Sequence, residues 1–182
     1  MSNSIETVSP FSEAHDDERL VADAVAGDRG ALEALVQRHQ PWIYNLAFRM
    51  VMVHDDAEDV TQEVLIKVIT KLSSYDSTRG AFRTWLYRIV ANHVITMQSR
   101  GYEAAITEPD AYYSFVTQVP DEEGDGSPET QLVVSDLAIG CVMGILLCLN
   151  RTDRLVFLLA VGFDVTDVVG GEIMDLSREA FR

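Results

Sequence analysis

Hydrophobic residues recur at spacings of three and four through the first hundred positions, which is the period of an α-helix. The clearest stripe follows His54, where Asp55 and Asp56 give the acidic first turn that a helix dipole favours. Its apolar positions are Ala57, Val60, Val64, Val68 and Leu72, with Leu65 and Ile69 beside them. Similar patterns predict helices over residues 17–26, from Asp28 onward, over 41–51 with Pro41 in the first turn, and over 81–97. Residues 17–102 are therefore predicted to form a bundle of about four helices.

The pattern changes at residue 103. Residues 103–131 combine prolines and glycines with the acidic run 121–126, which predicts a flexible acidic linker. Apolar periodicity returns over residues 132–182, with possible helix caps at Ser135, at Thr152 or Asp153, at Thr166 and at Ser177. Residues 1–16 are polar and are expected to be a disordered tail. The predicted fold class is all-α, with two small helical domains joined by the linker.

Residues 166–182 have the pattern of a helix-turn-helix. A short helix begins at Thr166, a turn follows, and a second helix starts at Ser177. Gly170 and Gly171 are small enough to let the second helix cross the first closely. The chain ends at Arg182, within the first two turns of that second helix.

Several function classes are disfavoured by the sequence. The longest apolar run, residues 137–149, is too short to span a bilayer, so no membrane insertion is expected. Residues 1–17 lack the basic flank and apolar centre of a secretory signal, which predicts a cytoplasmic protein. The histidines and cysteines form no cluster with metal-ligand spacing, so no metal or cofactor is expected. We find no nucleophile–base set, carboxylate pair or phosphate loop, and the chain is predicted not to be an enzyme.

The net charge of −15 hides one basic segment. Residues 79–102 hold four arginines and no acidic residue, whereas the sequence on either side is acidic. These arginines are Arg79, Arg83, Arg88 and Arg100. An acidic chain with one basic segment that also carries aromatic residues favours contact with nucleic acid at that place alone.

Three segments now stand in a characteristic order. Residues 56–64 read Asp-Ala-Glu-Asp-Val-Thr-Gln-Glu-Val, Tyr75-Asp76 follows, and residues 79–92 read Arg-Gly-Ala-Phe-Arg-Thr-Trp-Leu-Tyr-Arg-Ile-Val-Ala-Asn. Together they resemble conserved region 2 of the extracytoplasmic-function (ECF) group of bacterial sigma factors, within the sigma-70 family. The resemblance runs from about residue 20 to residue 100, and residues 132–182 resemble region 4.

The resemblance implies a docking site for core RNA polymerase on the helix after His54. The implied polymerase-binding residues are Asp56, Asp59, Gln62, Glu63, Leu65 and Ile66. Carboxylates and an amide around a small apolar centre suit a protein–protein contact. An ordinary solvated helix face is the alternative interpretation of the same residues.

The resemblance also implies that the basic segment captures the non-template strand of the −10 promoter element and holds a flipped base. The implied −10 DNA-binding residues are Ser74, Tyr75, Asp76, Ser77, Arg79, Phe82, Arg83, Trp85, Arg88 and Asn92. Arginines would hold phosphates, and loop groups with Asn92 would read base edges. Phe82 and Trp85 are equally explained as core residues. Arg79 and Arg83 are assigned to DNA because an arginine has no expected use in a core.

Two departures from the family qualify the expectation. Arg88-Ile89 stands where primary sigma factors carry a tryptophan pair that wedges the duplex open, which implies weaker intrinsic melting. The recognition helix of region 4 continues for further basic turns in the family, so the chain is expected to be truncated within region 4. Ser177, Arg178 and Arg182 are the −35 DNA-binding candidates that remain.

The function implied is that of a transcription initiation factor, whose partners would be core RNA polymerase, promoter DNA and an anti-sigma factor. The alternative is a sigma-like interaction protein, which binds core polymerase or an anti-sigma factor and opens no promoter.

Overall fold

The computed structural model describes residues 14–99 and 144–182, and every regular element in these ranges is helical. The first range contains α1 (Ala14–Val25), α2 (Arg29–Val51), α3 (His54–Lys71) and α4 (Phe82–Thr96). The second contains α5 (Arg151–Phe157), which continues as the π-helical turn Leu158–Gly162, then α6 (Asp167–Met174) and α7 (Arg178–Phe181). The all-α prediction is confirmed. The predicted linker, Arg100, the predicted cap Ser135 and most of the predicted tail lie outside the described residues, and the domain boundaries stay predictions.

Pro41 lies inside α2 and does not begin a separate helix, so that prediction was wrong. Proline lacks an N–H group and normally interrupts a helix. Here Pro41 lies on the exposed side of α2. Burial of Leu35 and His39 before it, and of Ile43 and Leu46 after it, holds both halves of α2 against one core.

The core of residues 14–99 lies between α2, α3 and α4. The predicted stripe on α3 is confirmed, because Ala57, Val60 and Val64 have no exposed surface and Val68 and Leu72 are buried. α2 contributes Ile43, Leu46 and Met50, and α4 contributes Leu86, Tyr87 and Val90, all buried. Packing of these side chains fixes the positions of both ends of α3 and α4, and therefore of the segment that joins them.

Two short 3-10 turns, Leu72–Ser74 and Ser77–Arg79, connect α3 to α4. Asp76 caps the second turn by accepting a hydrogen bond from the Thr78 N–H at 2.9 Å. Gly80 then adopts φ +146°, a conformation that other L-residues rarely take, and the chain turns into α4. Residues 72–81 are called the α3–α4 loop below.

The second range packs on the first through side chains from both. The Phe163 ring lies 6.4 Å from that of Trp42 and 6.5 Å from that of Tyr87, while the Arg49 guanidinium lies 5.5 Å from its centre. Arg154 is 2% exposed and donates to the carbonyl oxygen of Met50 at 2.9 Å. Arg151 donates to the carbonyls of Ile95 and Met97 at the end of α4. The described parts of the two halves therefore contact each other directly.

The helix-turn-helix pattern is confirmed in its local features. Thr166 caps α6 and Ser177 caps α7 through their side chains, whereas the cap of α5 is Asn150, not Thr152 or Asp153. A side chain at Gly170 would collide with the ring of Phe181, which is 2% exposed on α7. The glycine therefore lets α7 cross α6 with its phenylalanine buried between them.

Candidate nucleic-acid interface

The outer face of α3 brings together most of the polymerase-binding candidates. Asp59 and Gln62 are exposed, Asp56 and Glu63 are half-buried, and Ile66 is 61% exposed at the end of the same face. Spacings of three and four residues place all five on one side of the helix. Carboxylates around an exposed isoleucine form a surface suited to a partner that is basic with an apolar centre.

Leu65 does not share this face. It is half-buried and lines an apolar groove between α2 and α3. The residues that line the groove with it include Leu32, Val36, Val68 and Ile69. A contact of Leu65 with a partner would therefore have to come from the groove side of α3.

Glu63 also has a partner within the fold. Its Oε2 lies 3.2 Å from Nε2 of His93, and Nδ1 of that histidine lies 2.6 Å from Nζ of Lys67. His93 is 5% exposed on α4, so this chain of contacts joins α3 to α4. Substitution of Glu63 would change packing as well as surface charge.

The α3–α4 loop lies against a cluster of aromatic rings. The Tyr75 ring is 5.4 Å from that of Phe82 and 5.7 Å from that of Trp85, and Phe82 and Trp85 stack at 5.5 Å. The Tyr75 hydroxyl donates to the carbonyl of Gly80 at 3.0 Å, which ties the two ends of the loop together. Phe82 is 2% exposed, as the core interpretation expected, while Tyr75 and Trp85 are half-buried. We call these three rings the aromatic floor.

The polar candidates of the loop, Ser74, Asp76 and Ser77, are all exposed. Asp76 accepts hydrogen bonds from the Thr78 hydroxyl and N–H, which hold the pKa of its carboxyl below the usual value of 3.8. Ser74 donates to the carbonyl of Lys71 at 2.6 Å. The loop therefore presents its polar groups in an internally bonded conformation, with the carboxylate of Asp76 ionised at neutral pH.

Three of the cationic and amide candidates are exposed. Arg79 lies in the loop, whereas Arg88 and Asn92 lie one turn apart further along α4. Lys71, at the end of α3, is exposed at the base of the same loop and was missed by the sequence reasoning. The sequence does show a cation in the last turn of the helix before the loop, but Lys71 lies outside the basic segment, which begins at Arg79.

Arg83 is placed differently from the expectation. It is 7% exposed, and its Nε donates to Oδ2 of Asp17 at 3.0 Å. Asp17 has no exposed surface, and its Oδ1 lies 2.8 Å from Nη1 of Arg38 and 3.3 Å from Nε2 of His39. The premise that an arginine has no use in the core was wrong here. The side chain neutralises a buried carboxylate that lies 66 residues earlier in the sequence.

Burial alone would raise the pKa of Asp17, but the opposing contacts are stronger. Hydrogen bonds from His39, Arg83 and Arg38 to the carboxylate shift its pKa well below the usual value of 3.8. Asp17 is therefore ionised at neutral pH, and α1, α2 and α4 meet at one buried negative charge.

The −35 candidates lie on α7. Ser177 serves as the N-cap of the helix, and Arg178 and Arg182 are exposed. Both arginines lie within 2.8 Å of Oδ2 of Asp167 on α6. Hydrogen bonds from Arg178 and then Arg182 lower the pKa of Asp167, although its partial desolvation opposes them. The two cations thus share an acidic neighbour on the surface that would face DNA.

Within the described ranges, no group of three or more His, Cys, Asp and Glu side chains is arranged to hold a metal ion. Nor does any helix in residues 14–99 or 144–182 have the length and apolarity to cross a membrane.

Comparison with known proteins agrees with the sequence resemblance. The family model for Sigma-70 region 2 matches residues 35–101. The RNA polymerase sigma-H factor of Pseudomonas aeruginosa is 35% identical over 101 residues, which cover 53% of this chain and 52% of that protein. The ECF RNA polymerase sigma-E factor of Haemophilus influenzae is 33% identical over 126 residues, 66% of this chain and 64% of that protein. The sigma-E factor of Escherichia coli K12 is 43% identical over 84 residues, 45% and 42% of the two chains.

A solved structure supports the fold over a longer range. A chain in the structure of CnrH in complex with the cytosolic domain of CnrY matches with a TM-score of 0.63 at 21% identity, covering 91% of this chain and 87% of that one. The chain spans about half the length of the curated relatives that it matches, 52% for the sigma-H factor and 42% for the Escherichia coli protein. The region 2 match over residues 35–101 and the named relatives, which cover part of this chain, support a member of the ECF group of the sigma-70 family.

Proposed function

We propose that this chain is a transcription initiation factor, which binds core RNA polymerase and directs it to specific promoters. In this proposal residues 17–102 recognise and melt the −10 element, and residues 132–182 contact the −35 element. The observation that carries the proposal is the α3–α4 loop, which combines exposed polar groups and Arg79 with Tyr75, a ring of the aromatic floor. The family is one of non-catalytic transcription factors, and the proposed role is regulatory, in the cytoplasm.

The −10 step follows from the chemistry of the loop. Removing a base from the stack costs a few kcal/mol, and stacking on a protein ring returns about 1–3 kcal/mol per base. Tyr75 and Trp85 retain exposed surface for such stacking, whereas Phe82 is buried beneath them. Ser74, Asp76 and Ser77 supply donors and acceptors for base edges, and Arg79 with Arg88 supplies charge for phosphates.

Polymerase docking is assigned to the outer face of α3. Asp59, Gln62 and Ile66 are its exposed members, and none of them is needed to bury the α3 stripe. A partner with cationic side chains around an apolar pocket would match this face. Glu63 contributes charge at the edge of the face while it holds His93.

A protein partner of another kind is also proposed. The similar solved structure is of CnrH in complex with the cytosolic domain of CnrY, and we extend to this chain the proposal of an anti-sigma partner. Phe157 and Val161 lie one turn apart and are 39% and 68% exposed, so they offer an apolar contact on the second half.

Transcription tests the proposal directly. The full chain is mixed with core RNA polymerase and a library of promoter fragments, and run-off transcripts are sequenced. Discrete transcripts whose templates share a −10 sequence are expected, with fewer when Arg79 and Arg88 are both replaced by alanine. A chain that binds core polymerase but yields no transcripts above the polymerase alone would contradict promoter recognition.

One observation favours the alternative of a sigma-like interaction protein that opens no promoter. Arg178 and Arg182 both bond to Asp167, which reduces the charge available to DNA phosphates. The transcription experiment separates the two functions, because the alternative predicts polymerase binding without transcripts.

A further inference from the structure

Asp17, Arg38, His39 and Arg83 form a group around one buried carboxylate at the meeting point of α1, α2 and α4, which we call the Asp17 cluster. Asp17 is fully buried, Arg83 and His39 are 7% and 4% exposed, and each of the three cationic or imidazole groups lies within 3.3 Å of a carboxylate oxygen. A guanidinium that is buried and paired in this way does not reach the surface where a phosphate would lie. Arg83 therefore differs in kind from the exposed Arg79.

The Asp17 cluster supports the aromatic floor from below. The His39 ring lies 5.6 Å from the Phe82 ring, edge to face. The Phe82 ring also contacts the rings of Tyr75 and Trp85. Nδ1 of His39 accepts a hydrogen bond from Nε1 of Trp42 at 3.0 Å. Because Nδ1 accepts, the ring proton sits on Nε2, which lies 3.3 Å from Oδ1 of Asp17.

Arg83 and Phe82 are the first two residues of α4 and directly follow the loop. The contact from Arg83 to Asp17 holds the first turn of α4, and the contact from His39 holds the Phe82 ring. Movement of either would shift the floor on which Tyr75 and Trp85 pack, and with it the loop that Tyr75 closes through Gly80.

We propose that Asp17 and Arg83 are a positioning pair that sets base selectivity at the α3–α4 loop, and that Arg83 does not bind phosphate. This inference rests on the proposed −10 recognition by that loop. It assigns to α1 a part in promoter selectivity although α1 contributes no residue to the loop.

The two roles for Arg83 predict opposite patterns. Loss of a phosphate contact weakens binding to every sequence alike and reduces the salt slope by about one. Loss of a positioning contact weakens the matched strand more than a scrambled one and leaves the salt slope unchanged, because no phosphate contact is lost. The ratio of the two affinities is independent of the fraction of protein that is folded.

The first experiment compares Arg83→Gln with Arg79→Gln in the full chain. The probes are a labelled single strand that carries the −10 bases selected in the transcription experiment and the same strand with those bases scrambled. Arg83→Gln should lower the matched-to-scrambled ratio by about fivefold or more, the lower end of what one wrong base costs. Arg79→Gln should leave that ratio unchanged and reduce the salt slope. A reduced salt slope with an unchanged ratio for Arg83→Gln would overturn the proposal.

The second experiment needs no DNA. Hydrogen exchange is measured on the full chain carrying Asp17→Asn, with Asp16→Asn as the matched control, since the exposed Asp16 bonds to Arg38 and Arg19 but not to Arg83. Asp17→Asn should speed exchange of amides in residues 74–82 more than in the α3 core around Val60 and Val64, while Asp16→Asn should not. Equal acceleration in both places means general destabilisation and contradicts positioning. If the unaltered chain binds both strands alike, the proposed −10 recognition is contradicted. The exchange pattern then still decides whether Asp17 and Arg83 position the α3–α4 loop.

Discussion

At the scale of single residues, Asp17 shows what local pattern can and cannot reveal. Nothing near it in sequence marks it as buried, since it follows an acidic neighbour at the polar start of the chain. It is buried because Arg83, 66 residues later, brings a compensating charge. Pairings over such separations leave no periodic signal, which is why Arg83 was assigned to the surface. By contrast, the stripe Ala57, Val60 and Val64 was predictable because burial there follows the helical period.

Replacement of Asp17 by asparagine is expected to lower the free energy of unfolding by about 3–5 kcal/mol at pH 7, because removing one partner of a buried ion pair leaves the other charges uncompensated. Urea unfolding followed by circular dichroism measures this. The control Asp16→Asn should lower it much less, because the ion pairs of Asp16 are exposed to solvent. A loss for Asp17→Asn no larger than that of the control would show that the Asp17 cluster contributes little.

The same variant has a defined pH dependence. The pKa of Asp17 is lower in the folded protein than its usual value of 3.8, so the charge stabilises the fold fully above pH 3.8. That stabilisation is lost as the pH falls below 3.8 toward the folded value. The unfolding free energies of the unaltered chain and Asp17→Asn should therefore differ most at neutral pH and converge below pH 3.8. A difference that stays constant from pH 6 to pH 3 would contradict the ion-pair account.

At the scale of elements, helix ends were predictable where a side chain caps them. Asp28, Thr166 and Ser177 each accept a hydrogen bond from a backbone N–H in the first turn of the helix that they begin. The prediction at Pro41 was wrong because the tendency of proline to interrupt a helix was outweighed by the core contacts on both sides of it. The same holds for the candidate site residues. The exposure of Asp59 and Gln62 was predictable from the helical period. The contact of Glu63 with His93 was not, because it depends on how α4 crosses α3.

The outer face of α3 gives a prediction about polymerase. Asp59→Lys should weaken binding to core polymerase by about tenfold, because it places a cation where the proposed partner surface is basic. Asp23→Lys is the matched control, since Asp23 is also exposed but lies on α1, outside the proposed docking face. Helical content should be unchanged in both. Equal affinities of the two variants for core polymerase in a titration would show that Asp59 is not part of the docking face. Glu63 is unsuited to this test because it bonds to His93.

The crossing of α6 and α7 gives another prediction. Gly170→Ala should destabilise the chain by about 1–3 kcal/mol, because the added methyl meets the buried Phe181 ring. Combining it with Phe181→Leu should recover part of the loss relative to the sum of the single changes, since the smaller side chain gives the methyl room. Thermal unfolding of the four proteins in this cycle provides the coupling energy. Simple additivity would mean that the two helices do not cross in this way.

At the scale of the whole molecule, the described halves contact each other through Phe163, Arg154 and Arg151. The aromatic residues of α2 and α4 that Phe163 meets were visible in the sequence as apolar positions, but their partner was not. Contacts of this kind are non-local and rest on a few side chains, so periodicity does not predict them. The sequence therefore indicated two helical units and left their mutual contact unseen.

Phe163→Ala should loosen this contact, because it removes the ring packed on Trp42, on Tyr87 and beneath Arg49. The radius of gyration from small-angle X-ray scattering should rise, with helical content kept. Val161→Ala is the control, as Val161 is 68% exposed two residues earlier. An unchanged radius of gyration for Phe163→Ala would show that Arg154 and Arg151, and not Phe163, hold the two halves together.

Arg154 reaches the first half through a main-chain atom, the carbonyl oxygen of Met50, and it also donates to the carbonyls of Leu146, Leu147 and Leu149. A carbonyl is present whatever residue occupies a position. During evolution residue 50 could drift among side chains that fit the core without disturbing this bond, whereas position 154 could not lose its guanidinium. Covariation between positions 50 and 154 should then be weak in related sequences even though the two residues touch, because this bond depends on the side chain of residue 154 alone.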